Sequence, residues 1–301
     1  MLNEILNKLK PYNEILFGPF LGEMGWEIKR WSGAIRYYKK QNPNKKIMVA
    51  SRESSYDLYN GVIDEFIKLP IIKGDYNNFR PNMMKLDFFP KEMYETITNG
   101  LKELYPNAYI MEPPNTNNRN VFPLTHQDLN FTPRQMNKTI IIESINREKK
   151  IPIVIASRNR EDMKVKRTRN WPGQHWFDLF KKIEDSNKFT VFIAGKYPSY
   201  IRPPKDYKSF FCLEDMMVSD KLSLIGVTIE AIKNSKLVIG QQSSVPVLSL
   251  LLKTPVLSWG DEKKRHQIDE NPFGTPCEFI EDMNYNCSAE LIYNKIKECL
   301  L

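Results

Sequence analysis

The stretch SKLVIGQQSSVPVLSLLLKTPVLSWG, Ser235 to Gly260, reads as strand, turn, helix and strand in succession. Leu237 to Ile239 form an apolar strand, Gly240 to Ser244 a small polar turn, and an apolar helix leads into a second strand at Val256 to Trp259. A strand that closes on glycine and small hydroxyl residues, with a helix starting at once, directs backbone N–H groups and the positive helix end at one point. A diphosphate suits that point. Simple packing of a buried strand-to-helix corner, with serine as the helix cap, accounts for these residues equally well when they are taken alone.

The same unit recurs upstream. IPIVIAS, Ile151 to Ser157, is a continuous apolar run of strand type, and WPGQHWFDLFKKIEDS reads as a helix with Pro172 near its first turn. Between them SRNREDMKVKRTRNW carries Arg158, Arg160, Lys164, Lys166, Arg167 and Arg169. A cationic run is ordinarily a solvated surface. This one stands where a parallel strand ends and a helix begins, which is where open α/β sheets take their ligands. FTVFIAG then supplies a strand closing on Gly195, KLSLIGVTIEAIKNS a helix, and KLVIG the next strand. The rhythm predicts a parallel, doubly wound sheet from about residue 150 to 283.

The N-terminal half opens with the same grammar. EILFGPF is a strand, LGEMGWE a glycine-bearing turn, IKRWSGAIRYYKKQ a helix with Ile28, Trp31, Ile35 and Tyr38 on one face, and KKIMVAS the next strand. DEFIKLP and NAYIMEPP read as further strands, and PKEMYETITNGLKELYP as a helix ended by Pro106. Residues 71–89 carry no clear period, and Pro113 to Pro133 reads as a long loop.

Composition bounds the function classes. The 301 residues are 41% hydrophobic, enough for one large or two medium cores. Four cysteines without close pairs, Cys212, Cys277, Cys287 and Cys299, argue against zinc and point to a reduced, cytoplasmic chain. His126, His175 and His266 are scattered and share no metal spacing. Nowhere do about 18 apolar residues come together, so no transmembrane segment is expected, although the surface permits peripheral membrane contact. The net charge of +8 favours polyanions and leaves DNA open as a partner.

Two such domains facing a central cleft describe the α/β architecture called GT-B, and the order of motifs resembles the ADP-heptose lipopolysaccharide heptosyltransferase family. VIASRN, then Arg169 before WPGQHWFDLFKKI, then FTVFIAG, LSLIGVTIEAIKNS and LVIGQQSSVPVLSLLLKTPVLSWG follow that family's sequence of motifs across Ile151 to Gly260. The family's Asp-Ser-Gly is here Gln242-Ser243-Ser244, and its helical histidine is replaced by Val247 or a close neighbour. EILFGPFLGEMGWEIKRWSGAIRYYKKQNPNKKIMVAS is similar to the family's opening strand, GxxGD loop, helix and second strand.

The resemblance implies a nucleotide-diphosphate sugar as co-substrate, with no other cofactor, and a hydroxyl acceptor on a glycan or glycolipid. It implies a catalytic base at Glu23 or Glu27, the closest counterparts of the loop aspartate, with Glu23 preferred. Donor binding is expected at Arg158, Arg160, Lys164, Arg169, Gly195, Gly240, Gln242, Ser243 and Ser244. No Asp-x-Asp metal motif occurs in the chain, which points to a fixed cationic clamp in place of a metal. Glu262 and Glu270 have the Glu-x7-Glu spacing of retaining enzymes but follow the last quoted strand, so inversion is the expected outcome. A glycosyltransferase acting on modified bases in DNA, and a non-catalytic nucleotide-sugar-binding module, are the competing readings. The expected organisation is an acceptor domain over 1–137, a linker helix over 138–150, a donor domain over 151–285 and a C-terminal helix over 286–301 that can return to the first domain.

Overall fold

A computed structural model describes residues 7–22, 24–69, 91–113, 141–146, 149–159, 169–217 and 223–301. Glu23, Arg160 and Lys164 lie outside the described residues. The chain divides into two units, Met1–Thr132 and Pro133–Leu301.

In the first unit, β1 (Glu14–Phe17), β2 (Lys46–Ser51), β3 (Glu65–Lys68) and β4 (Tyr109–Met111) form a parallel sheet in the order β3-β2-β1-β4. Ile15, Leu16 and Phe17 are all buried, the continuous apolar run that a parallel strand covered on both faces requires. The expected helix after β1 is α1 (Ser32–Gln41), entered through a short α turn (Met24–Trp26) and a π-helical turn (Glu27–Trp31). Ile28, Trp31, Ile35 and Tyr38 are buried as their spacing predicts, and Phe17 of β1 meets the rings of Trp31 and Tyr38 edge-on at 5.8 and 5.7 Å. Strand residues alternate in direction. Accordingly Leu16, Met48 and Ala50 join a separate cluster with Tyr94 and Leu101 of α2 (Lys91–Leu104).

The second unit holds β5 (Ile151–Ala156), β6 (Phe189–Ile193), β7 (Phe210–Cys212), β8 (Leu237–Gln241), β9 (Val256–Gly260) and β10 (Cys277–Glu281). All pair in parallel, in the order β10-β9-β8-β5-β6-β7. Starting from β5, the chain runs outward through β6 and β7, then returns to the other side of β5 for β8, β9 and β10. This is the Rossmann order, and it reverses between β5 and β8. Crossover helices are α3 (Gly173–Ser186), α4 (Leu224–Lys233) and α5 (Ser244–Leu251).

One face of this sheet, including Ile153, Ile155, Val191, Ile193 and Ile239, packs with Trp176, Leu179, Phe180 and Ile183 of α3. Its alternates, such as Val154, Phe192 and Val238, are buried on the opposite face, where α4 and α5 lie. The last helix, α6 (Ala289–Leu300), is capped by Ser288, whose hydroxyl accepts from the Leu291 amide at 3.2 Å. Whereas the sequence leaves this helix able to return to the first domain, Ile292 and Ile296 pack on the α3 face of the second unit's own sheet. Each such burial is worth about 1.5–3 kcal/mol, enough to fix the helix there.

Candidate functional site

The strand order places one location above others in the second unit: the carboxyl ends of β5 and β8, on either side of the reversal. Gly240 pairs with Ala156 across these strands. A Cβ on Gly240 would stand 2.9 Å from both the Cβ and the carbonyl oxygen of Ala156, so glycine is what lets the two strands approach. Past β5, the Ser157 hydroxyl donates to the Ile201 carbonyl at 2.8 Å, and Arg158 forms an antiparallel bridge with Tyr200. These contacts hold the start of the cationic loop against the segment after β6. Gly195 stands just beyond β6, packed under Tyr200.

The far end of the cationic loop is anchored by Trp171. Its indole is buried, 4.7 Å from the Trp176 ring and 5.0 Å from Trp259, and its Nε1 donates to the Cys287 carbonyl at 2.7 Å. The Gln241 amide, oriented to satisfy its neighbours, accepts from the Trp171 backbone N–H at 2.8 Å and donates to the Ala156 carbonyl at 3.2 Å. Arg169 is thereby set two residues from a rigid anchor. Its charge reaches Tyr285 in the turn after β10, where burial raises the phenol to about 12, the Asp261 carboxylate adds to the rise and Arg169 opposes it.

At β8 the turn residues divide their roles. Gln242 is 1% exposed; its Nε2 donates to the Glu262 carbonyl at 3.1 Å and its Oε1 lies 3.3 Å from the Tyr285 hydroxyl. Its amide reaches the Glu262 carbonyl and its side chain is buried within the protein, so Gln242 acts as a strut between β8 and the loop after β9. Ser243 is different. It is half-buried and extended, and although it precedes α5 its side chain makes no cap hydrogen bond. The packing explanation of this turn needs that cap. The amides of Ser244 and Val245 open α5 and have no acceptor within the helix, and Pro246 carries no N–H. The turn thus presents two amides and two hydroxyls, with Arg158 and Arg169 on the neighbouring loop.

In the first unit Glu27 is 0% exposed. Its Oε1 accepts from the hydroxyls of Ser51 and Tyr59, and its Oε2 accepts from Ser55 at 2.8 Å and from the Arg52 guanidinium at 2.8 Å. Burial, then the Glu27 charge and hydrogen bond, raise the Tyr59 phenol well above its ordinary value, so it stays a donor. A carboxylate with four donors in place has no acceptor direction left for a substrate proton. The expectation of Glu27 as base therefore gives way to a structural role: Arg52 also donates to the Gly22 carbonyl at 2.9 Å, tying the residue before Glu23 to the end of β2.

Sequence reasoning missed Tyr285 and Asp261. The Tyr285 hydroxyl donates to Asp261 at 3.1 Å, yet the residues lie 24 positions apart and no local pattern joins them. His266 is buried in a π-helical turn (Arg265–Asp269), 3.4 Å from Glu270 and 5.7 Å from the Phe279 ring. Among the described residues no cluster of three or more His, Cys, Asp or Glu side chains could hold a metal.

No family model and no curated protein matches the chain. Solved structures do. A family 9 glycosyl transferase from Veillonella parvula aligns with a TM-score of 0.59 at 13% identity, covering 96% of this chain and 97% of that one. ADP-heptose lipopolysaccharide heptosyltransferase II of E. coli aligns at 0.56 and 12% identity, covering 96% and 98%. The E. coli heptosyltransferase WaaC with ADP aligns at 0.54 and 12% identity, covering 95% and 99%. Two parallel sheets, the second in Rossmann order, together with these likenesses over nearly the whole chain, establish that this protein has the GT-B fold of the heptosyltransferase structures.

Proposed function

We propose that the protein is a metal-independent, inverting glycosyltransferase that moves a sugar from a nucleoside-diphosphate donor to a hydroxyl of a glycan or glycolipid. The observation that carries this reading is the uncapped turn Gln242-Ser243-Ser244 at the reversal point of a Rossmann sheet, with Arg158 and Arg169 beside it. ADP bound to a heptosyltransferase of the same fold is in keeping with a diphosphate there.

In the proposed reaction the acceptor oxygen attacks the anomeric carbon from the face opposite the diphosphate. Glu23 takes the hydroxyl proton, the bond from carbon to phosphate oxygen breaks, and its electron pair leaves with the nucleoside diphosphate. General-base assistance of this kind contributes about 10²–10⁴ in rate. Negative charge grows on the leaving phosphate, so donors held in place beforehand stabilise the transition state more than the ground state. The Ser244 and Val245 amides, the Ser243 and Ser244 hydroxyls, Arg158 and Arg169 fill that role, with Arg160 and Lys164 of the same loop as further cations. Glu27 and Arg52 position the segment that carries Glu23.

A thermal-shift panel of ADP, UDP, GDP and CDP and their hexose conjugates tests the reading. A ligand at about 100 times its dissociation constant stabilises by roughly 2.7 kcal/mol, so at least one nucleotide should raise the melting temperature by several degrees. A nucleotide shift alongside DNA affinity that falls steeply with salt would favour the DNA-directed alternative, and no shift with any nucleotide would contradict the reading.

A further inference from the structure

Asp261 is a carboxylate placed beside an anion cradle, and nothing in the proposed handling of the diphosphate uses it. It is exposed, follows β9 directly, and accepts the Tyr285 hydroxyl at 3.1 Å. Tyr285 is itself buried with its hydroxyl 3.3 Å from Gln242 Oε1, so one phenol stands between the carboxylate and the residue immediately before Ser243. The phenol is held at some cost. Tyr285 has φ 52°, a left-handed conformation that a bulky side chain seldom adopts and that needs surrounding structure to maintain it. Asp282 provides this, its carboxylate accepting from the amides of Asn284, Asn286 and Cys287 around the residue. Space is also kept clear for the contact. Gly260 has φ 159°, and a Cβ there would stand 2.9 Å from the Tyr285 hydroxyl and 3.0 Å from Gln242 Oε1.

A fixed carboxylate repels phosphate and accepts hydrogen bonds from hydroxyls, so its partner beside a diphosphate is a polyol. The strand order says which one. In a Rossmann sheet the ribose is held on the side of the second strand, here β6. Asp261 ends β9, on the other side of the reversal, two strands from β5 and so about 10 Å away. That is the direction in which the group on the outer phosphate extends.

Resting on the glycosyltransferase reading, we infer that Asp261, held by Tyr285, accepts hydrogen bonds from hydroxyls of the transferred sugar and sets which donor sugar the site takes. Tyr285 is then a positioning residue for it.

Calorimetric titration of wild type, D261A, D261N and Y285F tests this with ADP, UDP, GDP and CDP and with ADP-glucose, UDP-glucose, GDP-mannose and CDP-glucose. The expected result is that D261A weakens the preferred nucleotide sugar about 10- to 100-fold and leaves its parent diphosphate within about twofold. Y285F should give a smaller loss of the same selective kind. Equal loss for diphosphate and nucleotide sugar, or no loss for either, overturns the inference and leaves the glycosyltransferase reading standing. Failure of wild type to bind any of the eight compounds overturns both. Asp261 is exposed, so the D261A fold is not at risk, and D261N separates loss of charge from loss of shape.

Discussion

Single residues decide between structural and chemical explanations here because each position leaves a definite hydrogen-bond ledger. Ser243 precedes α5 yet does not cap it. Loss of a true serine cap costs about 1 kcal/mol, so S243A should instead change unfolding free energy by less than about 0.5 kcal/mol while weakening nucleotide binding. Chemical denaturation beside a titration separates the two, and a full cap-sized loss with unchanged binding would return Ser243 to packing. Glu27 makes the opposite case. Removing one partner of a buried, hydrogen-bonded ion pair costs about 3–5 kcal/mol, so E27A should lower stability by that order in a urea melt. A loss below about 1 kcal/mol would mean that Arg52, Ser51, Ser55 and Tyr59 do not depend on it. None of this was legible in the sequence, where Glu23 and Glu27 look alike in the same turn. What distinguishes Glu27 is Ser51, Arg52, Ser55 and Tyr59, brought to it from more than 20 positions away.

Elements were more legible than residues, and the reasons are physical. The apolar runs at β5, β6, β8 and β9 are continuous because both faces of a parallel sheet are covered, and such runs are readable without partners in hand. β7 went unread: it has three residues, lies at the sheet edge and follows a segment with Pro198, Pro203 and Pro204. The π-helical turns at Glu27–Trp31 and Arg265–Asp269 were also invisible, since a π turn keeps helical composition and shifts only the register of its bonds. Both follow strand ends, after β1 and β9, where backbone irregularity is characteristic of functional loops. At the end of β9, Gly260 joins that strand to the Gln242 and Tyr285 contacts. G260A forces a Cβ against two polar atoms in a backbone region hostile to side chains, and should cost about 1–3 kcal/mol in a thermal melt. An unchanged melting temperature would show that the loop after β9 is free to move away from Gln242.

For the whole molecule, fold and chemistry rest on different supports. The two-unit α/β design followed from the repeated strand and helix periods, and likeness to solved structures over nearly the full chain agrees with it. Among the described residues no helix is long and apolar enough to cross a membrane. Fold alone does not carry chemistry, since Rossmann sheets serve many reactions. The proposed chemistry requires that the second unit grip a diphosphate at the reversal of its strand order. Amide proton and nitrogen shifts of Ser244 and Val245, followed by NMR while nucleoside diphosphate is added to wild type and to R169A, test that grip most directly. The account predicts large, saturable shifts at both amides in wild type and saturation at about 10- to 100-fold higher concentration in R169A. Nucleotide binding that leaves both amides unmoved would contradict it.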